Sequence, residues 1–171
     1  PNSMHDEARP WWVELEAIER AVLFARNTGA RLYICHMTIP EGAQFIKQAK
    51  MDGVPVYAET CPHYLLFDKS IMDERGAFAK CNPPIRSREQ VEKLWNYVFD
   101  GTIDTLGSDH GPYTDEEKQK NGNFFLEYSG FGGFDAMLAG MITEGVHKRG
   151  LPLIVDTTAI PFTEVDAREL G

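Results

Sequence analysis

Three residues of this chain pair metal-ligating or proton-transferring chemistry with a shared place in the sequence pattern: His36, His63 and Asp109. His36 closes the apolar run RLYICH, His63 stands a few residues beyond VPVYAE, and Asp109 directly follows TIDTLGS. Each run reads as a buried strand, so each polar residue falls just past a strand end. Any one of them alone is read equally well as a hydrogen-bonded rim residue. Three at equivalent positions suit a divalent metal, zinc or an ion like it, held by two imidazoles and a carboxylate. Such an ion acidifies its water towards neutrality, and a carboxylate beside it can carry a proton to a leaving nitrogen.

Other polar residues gather near the same rim. His110 reads as a residue that contacts substrate or orients Asp109 from behind. Glu59 either steadies His63 or hydrogen-bonds within the sheet, and the second is the simpler reading. Pro83 and Pro84, after Lys80-Cys81-Asn82, make a stiff turn that either aims backbone groups at a ligand or merely holds a loop. Cys35, Cys61 and Cys81 lack a paired base at a recognisable spacing and read as small buried residues. His5, in a polar start, and His147, at a basic helix end, suggest no role.

The elements that must position these residues alternate. Residues 1–10 read as a polar loop. Leu15, Ile18, Val22 and Ala25 predict a helix over 12–27, stopped at Gly29. Strand 31–36 follows, then a helix opened by Pro40 and closed near Gly53, then strand 54–59. A helical turn over 70–75 leads into a short third strand candidate, GAFAKC, at 76–81. Ser87 and Gln90 form a capping pattern ahead of Val91, Leu94, Trp95 and Val98, the best-defined helix, which Gly101 ends. TIDTLGS makes a fourth strand at 102–108, a long polar loop runs from His110 to about Ser129, and a helix spans roughly 134–148. Strands alternating with helices imply parallel βαβ units, an α/β class in which chemistry gathers at the strands' carboxyl ends. GFGG at 130–133 follows a long loop rather than a strand, so it fits a dinucleotide fingerprint poorly.

Bulk properties narrow the partners. The formal charge of −9 argues against a nucleic-acid backbone or an anionic membrane. No apolar run approaches the ~20 residues that span a bilayer, and no signal peptide opens the sequence. Three widely spaced cysteines without a CxxC pair suit a reducing compartment, so the expected location is the cytoplasm.

The stretches RPWWVELEAIERA (9–21), LYICHMT (32–38), ETCPHYL (59–65), KCNPPIRS (80–87), LWNYVFDGTIDTLGSDHGPY (94–113) and YSGFGG (128–133) resemble the amidohydrolase superfamily, specifically its cyclic amidohydrolases. These are the allantoinases, hydantoinases and dihydropyrimidinases, with dihydroorotases more distant. The resemblance implies the carboxyl-terminal half of a (β/α)8 TIM barrel, roughly its fifth to eighth strands, over residues 1–150, with an unassigned tail at 151–171 that reads as a strand, LPLIVDTT, and a loop. It implies that His36 and His63 bind the second metal of a binuclear centre. Asp109 would ligate the first metal and act as general acid and base. Asn82, Ser129 and Gly130 would hold the substrate's amide edge. The implied reaction is hydrolytic opening of a five- or six-membered cyclic amide by hydroxide shared between the metals.

The departures from the family pattern carry expectations of their own. The HxH pair of the family's first strand and the carboxylated lysine of its fourth do not occur here. The chain is therefore expected to be inactive alone, completed by residues from elsewhere. One alternative is a dihydroorotase-like fragment, for which wording closer to KMNPP would be expected. Another is a non-catalytic half-barrel that pairs with itself or another chain through an open sheet edge.

Overall fold

The longest helix begins and ends for local reasons. Pro10 precedes it, where a missing amide costs nothing, and Gly29 closes it at φ 72°, returning its N–H to the Ala25 carbonyl at 2.8 Å. The computed structural model, which describes residues 1–152, places this helix, α2, at Trp11–Thr28, after a short α1 at Met4–Ala8. Strand β1 follows at Leu32–Ile34, then α3 at Pro40–Met51, with proline in its first turn, and β2 at Val56–Thr60. Short helices α4 (Pro62–Leu66) and α5 (Ile71–Arg75) lead to α6 at Arg88–Phe99, whose Ser87 hydroxyl accepts the Gln90 N–H as the capping pattern requires. Strand β3 is Thr105–Leu106, α7 is Asp115–Lys118, and α8 is Phe134–Met141, continued by a π-helical turn to His147.

The three strands form one parallel sheet in the order β1-β2-β3, with Leu32 opposite Val56 and Glu59 opposite Thr105. The main core lies between this sheet and α2, α3 and α6, built from Ile18, Val22, Ile46, Val56, Ala58, Leu94 and Trp95. A second cluster under the carboxyl ends joins Cys61, Tyr64, Met72, Cys81, Ile85 and Phe124. Among the described residues no helix is long and apolar enough to cross a membrane.

The expected third strand at 76–81 is not a strand. Gly76, at φ 56°, ends α5, and residues Gly76–Ala79 wind into a 3₁₀ turn. Lys80 then turns its hydrogen-bonding groups to a loop rather than to a ladder. Its carbonyl accepts the Gly130 N–H at 2.9 Å, and its Nζ donates to the carbonyls of Phe125 and Glu127. Strand β2 accordingly pairs directly with β3. The polar start is not all loop either, because α1 buries His5. The tail expected at 151–171 lies outside the described residues except for Leu151 and Pro152.

One buried guanidinium ties these pieces together. Arg86, 2% exposed, donates to Asp6 at 2.8 Å, Glu14 at 2.9 Å, the Thr38 hydroxyl at 3.0 Å and the Arg9 carbonyl at 2.7 Å. It thereby joins α1, α2, the segment after β1 and the segment before α6. Breaking such a pair leaves buried carboxylates uncompensated, so Arg86→Leu is expected to lower unfolding stability by about 3–5 kcal/mol. Urea unfolding checks this, and a loss too small to measure would contradict it.

Candidate functional site

The parallel sheet sends the chain out of all three strands on one side. Three bonds align the exits: Met37 N–H to the Glu59 carbonyl at 2.8 Å, the Thr60 hydroxyl to the Met37 carbonyl at 2.7 Å, and Gly107 N–H to the Thr60 carbonyl at 3.0 Å. His36, His63 and Asp109 therefore sit on the same rim, as their positions in the sequence pattern imply. His36 and Asp109 are also the two non-glycine residues with positive φ among those described, at 40° and 42°. A left-handed conformation costs an ordinary L-residue roughly 1–2 kcal/mol, and such strain concentrates where side chains are aimed at a ligand.

Glu59 explains how His36 is held. Its carboxylate accepts the His36 backbone N–H at 3.2 Å and the Tyr33 hydroxyl at 2.8 Å, and that hydroxyl also meets the Thr105 hydroxyl at 2.6 Å. A Cβ at Gly107 would strike the same carboxylate, so any larger residue there would have to displace Glu59 from these bonds. Glu59 thus bonds within the sheet, as the simpler reading held, and what it steadies is His36.

His63 is 3% exposed, stacked on Phe131 at 4.9 Å and 18°, and its Nε2 is buried without a hydrogen-bond partner. Burial lowers its pKa to about 4, with the His36 imidazole pushing the same way. The ring is therefore neutral at pH 7, with an unengaged nitrogen. Asp109 is exposed, and His36 is half-buried. Burial, reinforced by Asp109, pushes the Cys61 thiol up and the Cys81 thiol up to about 12, with Tyr64 opposing the second shift. Both thiols are inert, buried packing residues, while Cys35 is exposed, contrary to expectation.

Asn82, Ser129 and Gly130 come together beside this rim. The Asn82 amide donates to the Ser129 hydroxyl at 2.8 Å, and its carbonyl oxygen lies 3.0 Å from His5 Nε2, which also reaches the Cys81 carbonyl at 3.2 Å. His5 is thus far from idle: from the opposite end of the sequence it orients a proposed substrate contact. Gly130 packs so closely on Gly111 and the Tyr113 ring that a Cβ would lie 2.6 Å from each. His110 bonds through its backbone to the Ser108 hydroxyl and lies edge-on to Phe134 at 6.0 Å, with no hydrogen bond to Asp109 among the described residues. An apolar groove of about 1040 Å³ adjoins the site, lined in part by Val13, Ala17, Leu32, Ile34, His36 and Asn82.

The donor set fits a metal only in part. Neutral His63, with its unengaged Nε2, has the protonation state a ligand needs, and His36 neighbours it. Among the described residues, however, no group of three or more His, Cys, Asp or Glu side chains is assembled to hold an ion. The three expected ligands share a rim without closing a site.

His63 makes stability pH-dependent in the metal-free protein. Its folded pKa lies below the ordinary 6.5, so between about 6.5 and about 4 the unfolded chain binds the extra proton and stability falls as pH falls. At about 1.4 kcal/mol per unit, His63 accounts for a loss of ~3 kcal/mol across that window. Urea unfolding of chelator-treated His63→Phe is expected to lack this part of the slope. An unchanged slope would refute the burial assignment.

No family model matches the sequence. An allantoinase from Salmonella paratyphi B is 40% identical over 146 residues, covering 85% of this chain and 32% of the relative. Among solved structures, an L-hydantoinase (dihydropyrimidinase) from Arthrobacter aurescens matches with a TM-score of 0.78 and 38% identity, over 84% of this chain and 32% of that one. A D-hydantoinase (dihydropyrimidinase) from Thermus sp. matches with a TM-score of 0.83 and 28% identity, over 88% and 34%. The chain spans about a third of the length of each. Sequence and fold together thus fit a fragment of the cyclic amidohydrolase family.

Proposed function

We propose that this chain supplies part of the active site of a metal-dependent hydrolase that opens a cyclic amide of the allantoin, hydantoin or dihydropyrimidine type. Its parallel βα units would form part of a (β/α)8 barrel wall over residues 1–150, in the region of the fifth to eighth strands. The observation that carries the reading is His63: a buried, neutral imidazole whose Nε2 has no partner, on the rim where His36 and Asp109 are held in strained backbone conformations. Leaving such a nitrogen buried and unpaired is costly, and a metal would satisfy it. The free thiols fit a reducing cytoplasm.

In this reading His36 and His63 ligate a divalent ion, with zinc the ion that imidazole and carboxylate donors suit best. That ion would polarise the ring carbonyl and acidify the attacking water. Asp109, exposed at the rim, accepts the water's proton and returns it to the ring nitrogen as the C–N bond breaks. Asn82, Ser129 and Gly130 hold the amide edge in place. Because the HxH pair and the bridging lysine of the family pattern do not occur in this sequence, the remaining ligands come from outside this segment, and the chain alone is inactive.

The 171-residue chain with added zinc is expected to show no measurable hydantoin or allantoin opening, and full turnover would overturn the need for outside ligands. In an active protein containing this segment, Asp109→Asn is expected to lower kcat at least ~100-fold. Unimpaired ring opening would end its acid–base assignment.

A second reading, a half-barrel that associates through its open edge, is favoured by the outer side of β1, the sheet's terminal strand, and by exposed Val13, Phe24 and Tyr33 near it. The isolated chain is expected to elute above its monomer mass of 19.3 kDa with or without zinc. A monomer under both conditions would count against this reading.

A further inference from the structure

We propose that Lys118 is a positioning residue whose single ammonium holds the two substrate-facing segments, 80–82 and 128–130, in register. The role rests on the assignment of Asn82, Ser129 and Gly130 to the cyclic amide. Lys118 ends α7, a helix started by the reciprocal Thr114–Glu117 capping box, and is 3% exposed. Its Nζ donates to the carbonyls of Gly130 at 2.7 Å, Tyr128 at 3.0 Å and Lys80 at 3.3 Å. All three donors of the ammonium are thereby engaged. Two of those carbonyls flank Ser129, and the third lies two residues before Asn82. The same Lys80 carbonyl also takes the Gly130 N–H, so one oxygen joins both strands of the clamp.

The surroundings are built for this cation. The Tyr113 ring lies 5.8 Å from Nζ and stacks on Tyr128 at 5.0 Å and 3°. A buried ammonium is tolerated only when fully hydrogen-bonded, so the carbonyls stay together as long as the charge is present. Lys80 acts differently, since its Nζ anchors Phe125 and Glu127 farther out on the same loop. Without Lys118, the Asn82–Ser129 bond and the Gly130 amide would have to hold the two segments together.

Amide exchange in the 171-residue chain tests the clamp, and hydantoin titration of an Asp109→Asn form of an active protein containing this segment, followed at the Asn82 side-chain amide by NMR, tests the positioning role. In Lys118→Met the Gly130 amide is expected to exchange at least about tenfold faster while α6 and β2 stay protected. Hydantoin affinity should fall by a similar factor, and Lys118→Arg should restore part of both. Unchanged Gly130 exchange in a folded Lys118→Met overturns the clamp. Hydantoin binding that survives faster Gly130 exchange overturns the positioning role. A wild-type Asn82 signal indifferent to hydantoin overturns the substrate assignment and with it the positioning role, whereas the exchange result still reports on the clamp. Should Lys118→Met also lose protection in β2, Lys118→Gln, which keeps a donor group, carries the same comparison.

Discussion

The carboxylate of Glu59 is the contact on which the geometry of the rim depends. It stands on the middle strand and receives the backbone amide of His36 and the hydroxyl of Tyr33, which in turn meets Thr105 on the third strand. It fills the space above Gly107 so closely that a side chain there would have to push it aside. One acidic group therefore joins all three strands where they end. That contact holds His36 in a conformation an L-residue otherwise avoids, and glycine at 107 leaves the carboxylate its place.

Buried cations repeat this logic elsewhere. Arg86 collects two carboxylates, a hydroxyl and a carbonyl, while Lys80 and Lys118 collect backbone carbonyls from the loop between β3 and α8, and Lys118 that of Lys80 as well. Irregular segments have no ladder to satisfy their carbonyls, so a multidentate donor does the work that neighbouring strands do in a sheet. The loops that carry Asn82 and Ser129 are thus held through side chains rather than through secondary structure. Burial lowers the proton affinity of both lysines, consistent with ammonium groups held by hydrogen bonds in place of water.

The imidazole of His63 is prepared in the opposite sense. Stacking on Phe131 and near-complete burial strip it of water and leave its Nε2 without a partner. A nitrogen in that condition destabilises the fold unless something binds it, which is the usual compromise at a ligand site. The groove beside His36 and Asn82 and the exposed face of α2 belong to the same picture, a wall whose apolar surface continues past the first strand.

Local chemistry in the sequence determined the long helices, the α/β class and the strand-end positions of His36, His63 and Asp109. Apolar periodicity, Pro40 at a helix start, Gly29 at a helix end and the Ser87 cap are interactions between near neighbours, so they are visible along the chain. The family motifs added the grouping of Asn82 with Ser129 and Gly130. What only the tertiary structure decided are contacts across long separations. The apolar run 76–81 looks like a strand until Gly76 and the bonds of Lys80 to residues 125–130 turn it aside. His5 gains its role from Asn82, some 77 positions away. Arg86 and Lys118 carry no local signal of their roles, because the carbonyls and carboxylates that surround them are gathered only by folding, and burial itself leaves no local mark on a polar residue's neighbours.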